Sequence, residues 1–208
     1  IMQSKIVPPR LKNTSIRRAR LFRKLMETTE YPLTLVVSGA GYGKSTTLAL
    51  YIEDSKEKIC WYSLSNQDND LIPFITYLIE SIRIHYPSFG TALLNKLQEK
   101  EPYAKERDTA TLSALFINEV ASIQTTIKLV LDDFHVVQET EKISAFIEYV
   151  LKNCPKNLHL IIASRTRPKW QILTKLMLEG NLLEIKQDDL LLTIEEVEVL
   201  LSECYKVE

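Results

Sequence analysis

Five short runs of nearly unbroken apolar residues punctuate the chain: LTLVV at 33–37, ICWYSL at 59–64, IKLVLD at 127–132, LHLIIAS at 158–164 and LLEIKQ at 182–187. Runs of this length that lack polar alternation predict strands covered on both faces. Between them, apolar positions recur at helical period, which predicts helices at about 44–54, 71–85, 109–124, 139–153 and 169–178. Strand and helix in strict alternation imply a mostly parallel sheet with right-handed crossovers, a three-layer α/β fold. The stretch 87–108 is polar and charged apart from a short apolar patch at 93–97, and is expected to be a surface excursion.

Both ends carry their own patterns. Pro8 and Pro9 begin an extended arm, and Ile16, Leu21, Phe22 and Leu25 among basic residues predict an amphipathic helix. After the last strand, Thr193 followed three residues later by Glu196 is a capping-box signal ahead of Val197, Leu200 and Leu201. The expected organisation is an arm and helix at 1–30 packed on a core at 31–192. A terminal helix at 193–208 then closes this domain or opens another.

Composition narrows the function. The 208 residues are 45% hydrophobic and 25% charged, an ordinary globular balance with enough length for one sizeable core. Lys and Arg number 26 against 27 Asp and Glu, so a net charge of -1 gives no electrostatic reason to expect DNA or membrane binding by these residues. Cys60, Cys154 and Cys204 are far apart and in no metal-ligand spacing, which fits reduced packing thiols in a cytoplasmic protein. No apolar run approaches the roughly 18 residues that span a bilayer.

The densest chemistry lies at 36–47, VVSGAGYGKSTT. A buried strand, a glycine-rich turn and Gly-Lys-Ser opening a helix form a phosphate-binding loop. The glycines let the backbone close around phosphate, and the helix amino terminus favours an anion. Ser38, Gly39, Ala40, Gly41, Tyr42, Gly43, Lys44, Ser45 and Thr46 would wrap the nucleotide, with Ser38 where the strict pattern has glycine. Lys44 would reach the β- and γ-phosphates and the Ser45 hydroxyl would ligate Mg²⁺.

Two further strands point to the same edge. The run IKLVLDDFH ends in Asp132 and Asp133, and ligands of open α/β sheets bind at the carboxyl ends of strands. Asp132 is assigned to Mg²⁺ and Asp133 to orienting the attacking water. Many P-loop ATPases have Glu at the second position; the shorter Asp reaches the water less directly, which predicts slow turnover. LHLIIASRTRP delivers Arg165 to the edge, where a guanidinium would report on the γ-phosphate; taken alone, it reads equally well as a surface arginine before a loop. His135 reads as a structural contact, and Trp61 and Tyr62 as sheet or core residues.

Taken in order, KIVPPR, RRARL, SGAGYGKSTT, CWYSLSNQDND, LVLDDFH, LIIASRTRP and DDLLLT resemble the amino-terminal ATPase domain of MalT-type regulators. These are large ATP-binding transcriptional activators of the LuxR family, within the STAND class of P-loop NTPases. The resemblance covers about residues 5–201. It implies strand order 5-1-4-3-2, ATP or ADP with Mg²⁺ as ligands, Arg165 as a sensor arginine, Arg18 close to the nucleotide and adenine against the arm from Val7 to Arg10. It also implies an ADP-held closed state, self-association of the full-length protein with ATP and an inducer, and DNA binding only through a carboxyl-terminal module outside this chain.

The reading that follows is a regulatory switch with slow ATP hydrolysis. The alternative is a P-loop phosphotransferase such as a nucleotide kinase, which should show an arginine-rich lid; the 87–108 stretch has only Arg107. A GTPase would carry Asn-Lys-x-Asp, whereas Asn95 and Lys96 continue into Leu97 and Gln98. A scaffold that binds ATP without hydrolysing it is the non-enzymatic option.

Overall fold

A computed structural model describes residues 1–98 and 109–204. The five apolar runs form one sheet: β1 (Leu33–Val37), β2 (Ile59–Ser63), β3 (Ile127–Asp132), β4 (Leu158–Ser164) and β5 (Leu182–Ile185), in the order β2-β3-β4-β1-β5. This is the expected 5-1-4-3-2 order, and every neighbouring pair is parallel. Every residue of β3 and β4 is buried, which is why neither run shows polar alternation.

The faces of the sheet separate by the two-residue period of the strands. Leu33, Leu35, Leu129, Leu131, Leu160 and Ile162 point into the larger core. There they meet α3 (Leu71–Arg83), α4 (Thr91–Gln98), α5 (Thr109–Ser122), α6 (Glu141–Lys152) and α7 (Ile172–Leu178). Val36, Val130, Ile161 and Ala163 point the other way, onto α1 (Ala19–Met26) and α2 (Lys44–Ser55), where Leu21, Leu25, Leu48 and Tyr51 close a smaller core. Of the residues expected to form the amphipathic helix, Leu21, Phe22 and Leu25 lie on α1, which is one wall of the second layer, whereas Ile16 precedes it. Trp61 and Tyr62 are buried sheet residues, as expected. Cys60 is buried and Cys154 half-buried, and both are free thiols whose pKa burial pushes up to about 12.

One expectation fails. Residues 91–98 are not a surface excursion: α4 inserts Leu93 and Leu97 into the larger core beside Phe89 and Phe116. Its amino terminus is capped from a distance, because the Glu119 carboxylate on α5 accepts from the amides of Gly90 (2.5 Å) and Leu93 (2.9 Å). That cap lies more than 25 residues away in sequence and leaves no local trace. Arg107 and its neighbours at 99–108 fall outside the described residues, as does the side chain of Cys204.

Three short helical segments follow the last strand, α8 (Gln187–Leu190), α9 (Ile194–Val199) and a π-helical turn (Leu200–Cys204) that continues α9, so the terminal helix expected over 193–208 is split within its described part. The capping box of α9 is present, with Thr193 Oγ1 accepting from the Glu196 amide and the Glu196 carboxylate from the Thr193 amide. Among the described residues, no helix is long and apolar enough to cross a membrane.

Candidate nucleotide site

Strand register sets the site. Val37 pairs with Ser164 and Ser63 with Asp132, so the loop after β1, the acidic end of β3 and the end of β4 emerge side by side at the carboxyl edge. Between β1 and α2 the loop adopts left-handed backbone at Gly41 (φ 83°) and Gly43 (φ 77°), where a side chain would be strained. Gly43 caps α2, its carbonyl accepting the first helical bond from the Thr47 amide. The free amides of the first turn therefore face the loop's concavity, an arrangement that favours an anion.

Lys44 lies folded into this loop, its Nζ donating to the carbonyls of Ser38 (2.7 Å) and Gly39 (2.8 Å). Burial lowers its pKa, opposed by the charges of Asp133 and Asp132, while Arg165 lowers it further. Ser45 Oγ donates to Asp132 Oδ1 at 2.9 Å, joining the two proposed Mg²⁺ residues directly. Asp132 is 4% exposed, and burial pushes its pKa up to about 6. The Ser45 hydrogen bond works against that rise and the charge of Asp133 adds to it.

Asp133 stands next along the edge with φ 56°, a left-handed conformation that Asp tolerates better than longer side chains do. Its carboxylate lies 3.8 Å from His135 Nδ1, and burial lowers the pKa of that imidazole. Arg165 is exposed at the end of β4, and its charge reaches both Lys44 and His135. Lys44, Ser45, Asp132, Asp133 and Arg165 are thus brought to one edge.

Arg18 lies beside this group. Its Nη2 donates to Thr47 Oγ1 and its Nη1 to the Leu190 carbonyl (2.8 Å), so it bridges the first turn of α2 and the end of α8. Burial lowers its pKa, against the opposing charge of Glu196.

A cavity of about 830 Å³ lies beside Arg18, lined by Gly41, Gly43, Ser45 and Thr46 of the loop and by Pro9, Arg10 and Leu11 of the arm. Its remaining wall includes Leu50, Leu190, Leu191, Leu192 and Leu200. Of the arm proposed for the adenine, Pro9 and Arg10 line the cavity, while Val7 stands exposed and is not part of the lining. Leu190, Leu191 and Leu192, within the DDLLLT stretch, carry no sequence signal for a place in this wall. Gln187 carries none either for its contact to the loop, where its Oε1 accepts from the Gly39 amide at 3.3 Å.

The cavity wall after β5 is held by charge. Arg20 donates to the carbonyls of Asp189 and Leu191 and to both oxygens of Glu196 (2.9 and 3.0 Å), while Lys24 meets Asp189 Oδ1 at 3.0 Å. Burial raises the Glu196 pKa, but the Arg20 hydrogen bond and the Thr193 amide outweigh it and leave the carboxyl below its usual range. No residue of α9 is buried, so its attachment rests on these polar ties. Arg20→Ala should accelerate amide hydrogen exchange across α9 by about tenfold or more, the effect of losing a charge-assisted hydrogen bond worth about 1.5 kcal/mol. Unchanged exchange would show that another contact holds the helix.

A parallel five-stranded sheet, a glycine loop feeding Lys44 and Ser45 into a helix, and an acidic strand end bonded to that serine define a P-loop NTPase domain. Among solved structures, a Walker-type ATPase of Pyrococcus abyssi superposes with a TM-score of 0.53 over 92% of this chain and 59% of that one, at 13% identity, a likeness of fold. In sequence the chain is a homologue of the MalT-type HTH transcriptional regulators. That of Yersinia pestis (strain Pestoides F) is 36% identical over 186 residues, 88% of this chain and 19% of that protein. That of Serratia proteamaculans (strain 568) is 36% identical over 192 residues, 91% of this chain and 20% of that protein. The chain therefore spans about a fifth of the length of these relatives. No protein-family model matches it.

Proposed function

We propose that this chain is the ATP/ADP-binding switch domain of a transcription regulator, with slow Mg²⁺-dependent hydrolysis of ATP. The observation that supports this most is the meeting, at the carboxyl edge of the sheet, of Lys44 folded onto the loop carbonyls, the Ser45–Asp132 pair and the amino terminus of α2. The domain is taken as 31–192, with the arm and α1 at 1–30 forming part of the nucleotide pocket. In the longer protein, ATP would favour self-association, and DNA would be met by a separate module. The MalT relatives, named as HTH-type regulators, support that assignment.

The donor set suits Mg²⁺. Ser45 and Asp132 offer only oxygen, and among the described residues no cluster of three or more His, Cys, Asp or Glu side chains could hold a metal by itself. Mg²⁺ typically takes one or two protein oxygens and completes its shell with water and phosphate oxygens. Bound there, the ion would neutralise charge on the β- and γ-phosphates. Lys44 exchanges its two carbonyl partners for phosphate oxygens. Asp133 accepts a hydrogen bond from the attacking water and holds it in line. Arg165 donates to the γ-phosphate, which ATP has and ADP lacks. Adenine lies between Pro9, Arg10 and the Leu190–Leu192 wall.

Single-turnover phosphate release tests the hydrolytic part. Asp133→Asn keeps a residue that tolerates the left-handed backbone and loses the charge, so it should slow release by roughly 10²-fold or more with ATP affinity little changed. A rate equal to the parent's would remove Asp133 from the chemistry.

A further inference from the structure

Arg165 has no hydrogen bond of its own to a described residue, so its direction depends on the backbone to either side. That backbone is held from the turn between β3 and α6. The Gln138 side chain accepts from Ser164 Oγ (3.3 Å) through Oε1 and donates to Thr166 Oγ1 (2.6 Å) through Nε2, gripping the residues immediately before and after Arg165. The same amide lies 3.5 Å from Glu139 Oε1.

Gln138 is itself well anchored. Its carbonyl accepts from Ser144 Oγ on α6 at 2.7 Å, and the preceding Val137 is buried, with its amide bonded to the Phe134 carbonyl. Phe134 follows Asp133 directly and packs edge-on against Trp170, 5.3 Å between ring centres. The segment 133–138 is thus a short platform spanning from the water-orienting carboxylate to the exit of β4. Phe134 supplies its apolar tie and Gln138 its polar one.

We infer that Gln138 is a positioning residue that holds Arg165 against the acidic loop, so that reading of the γ-phosphate and orientation of the water are set by one piece of backbone. This rests on the role proposed above for Arg165 and extends it to the residue that aims the arginine. Ser164 and Thr166 are the contacts through which Gln138 acts. Gln138 itself is not expected to touch the nucleotide.

The test is a double-mutant cycle on the full chain, titrated with Mg-ADP and with a non-hydrolysable Mg-ATP analogue. Gln138→Met keeps length and loses both hydrogen bonds. It should reduce the preference for the triphosphate analogue over ADP by about tenfold, leave ADP affinity within about twofold, and leave the thermal midpoint close to the parent's. Gln138→Glu, which can accept from both hydroxyls, should retain most of the preference. In an Arg165→Ala background, Gln138→Met should have no further effect, because residues acting as one unit are non-additive. A full additional loss in that background would overturn the proposal and leave Arg165 as a γ-phosphate contact. If Arg165→Ala alone left the preference unchanged, the role of Arg165 would fail and the inference with it.

Discussion

Replacing Lys44 with alanine removes nucleotide binding and leaves the fold. The lysine ammonium is the cation placed inside the phosphate loop, held 2.7 and 2.8 Å from two carbonyls that a phosphate would replace as partners. Charge-assisted hydrogen bonds to phosphate contribute about 1.5–3 kcal/mol each. Two of them lost corresponds to at least about 10²-fold in dissociation constant. The fold should survive, because the sheet is carried by Leu33, Leu35 and Val36 of β1 and by Leu48 and Tyr51 of α2, none of which touches the phosphate site. An unchanged circular dichroism spectrum and melting curve, together with absent ATP binding, is the expected pair of results. Binding equal to the parent's would move the nucleotide elsewhere.

The second large effect concerns the acidic end of β3. Because the folded pKa of Asp132 is raised, from 3.8 to about 6, its contribution to stability is present below about pH 4 and lost as pH rises through about 6. Above that, the nucleotide-free fold holds an ionised carboxylate with 4% exposure, at a cost of about 3 kcal/mol for a shift of about two units. Asp132→Asn resembles the protonated acid and still accepts from Ser45 Oγ. It should therefore raise the unfolding free energy at pH 8 by up to about 3 kcal/mol, with the gain disappearing near pH 4. The same variant should lose the Mg²⁺ dependence of ATP binding. Denaturant titrations at the two pH values decide the matter; equal stabilities at pH 8 would mean that burial of the charge is already compensated.

Such a cost fits a site tuned for a ligand rather than for the empty protein. Asp133 in left-handed backbone and Lys44 turned onto loop carbonyls show the same tendency.

How legible the molecule was depended on the distance over which each feature is specified. The five strands could be read directly because burial on both faces makes each a continuous apolar run. The order of those strands came from family resemblance, since nothing in the runs themselves says which pairs with which. The loop residues from Gly41 to Ser45 were legible because their function needs a local pattern of glycines, lysine and hydroxyl. Helix α4 was not, because its four apolar residues are few and its cap comes from Glu119 on α5. The cavity wall at Leu190–Leu192 was likewise hidden. Apolar residues there look like any helix approach, and it is the Arg18 and Arg20 ties to their carbonyls, together with Gln187 on the Gly39 amide, that bring them over the loop. Arg18 was placed near the nucleotide by resemblance; its part in tying α2 to α8 is visible only in three dimensions.

The measurement that tests the central claim most directly is calorimetric titration of the nucleotide-stripped chain with Mg-ATP and with Mg-ADP, beside the Lys44→Ala variant. The account predicts saturable, stoichiometric binding of both nucleotides to the parent and none to the variant. A parent that binds neither nucleotide, or a variant that binds as the parent does, would contradict the assignment of the 38–46 loop as the nucleotide site.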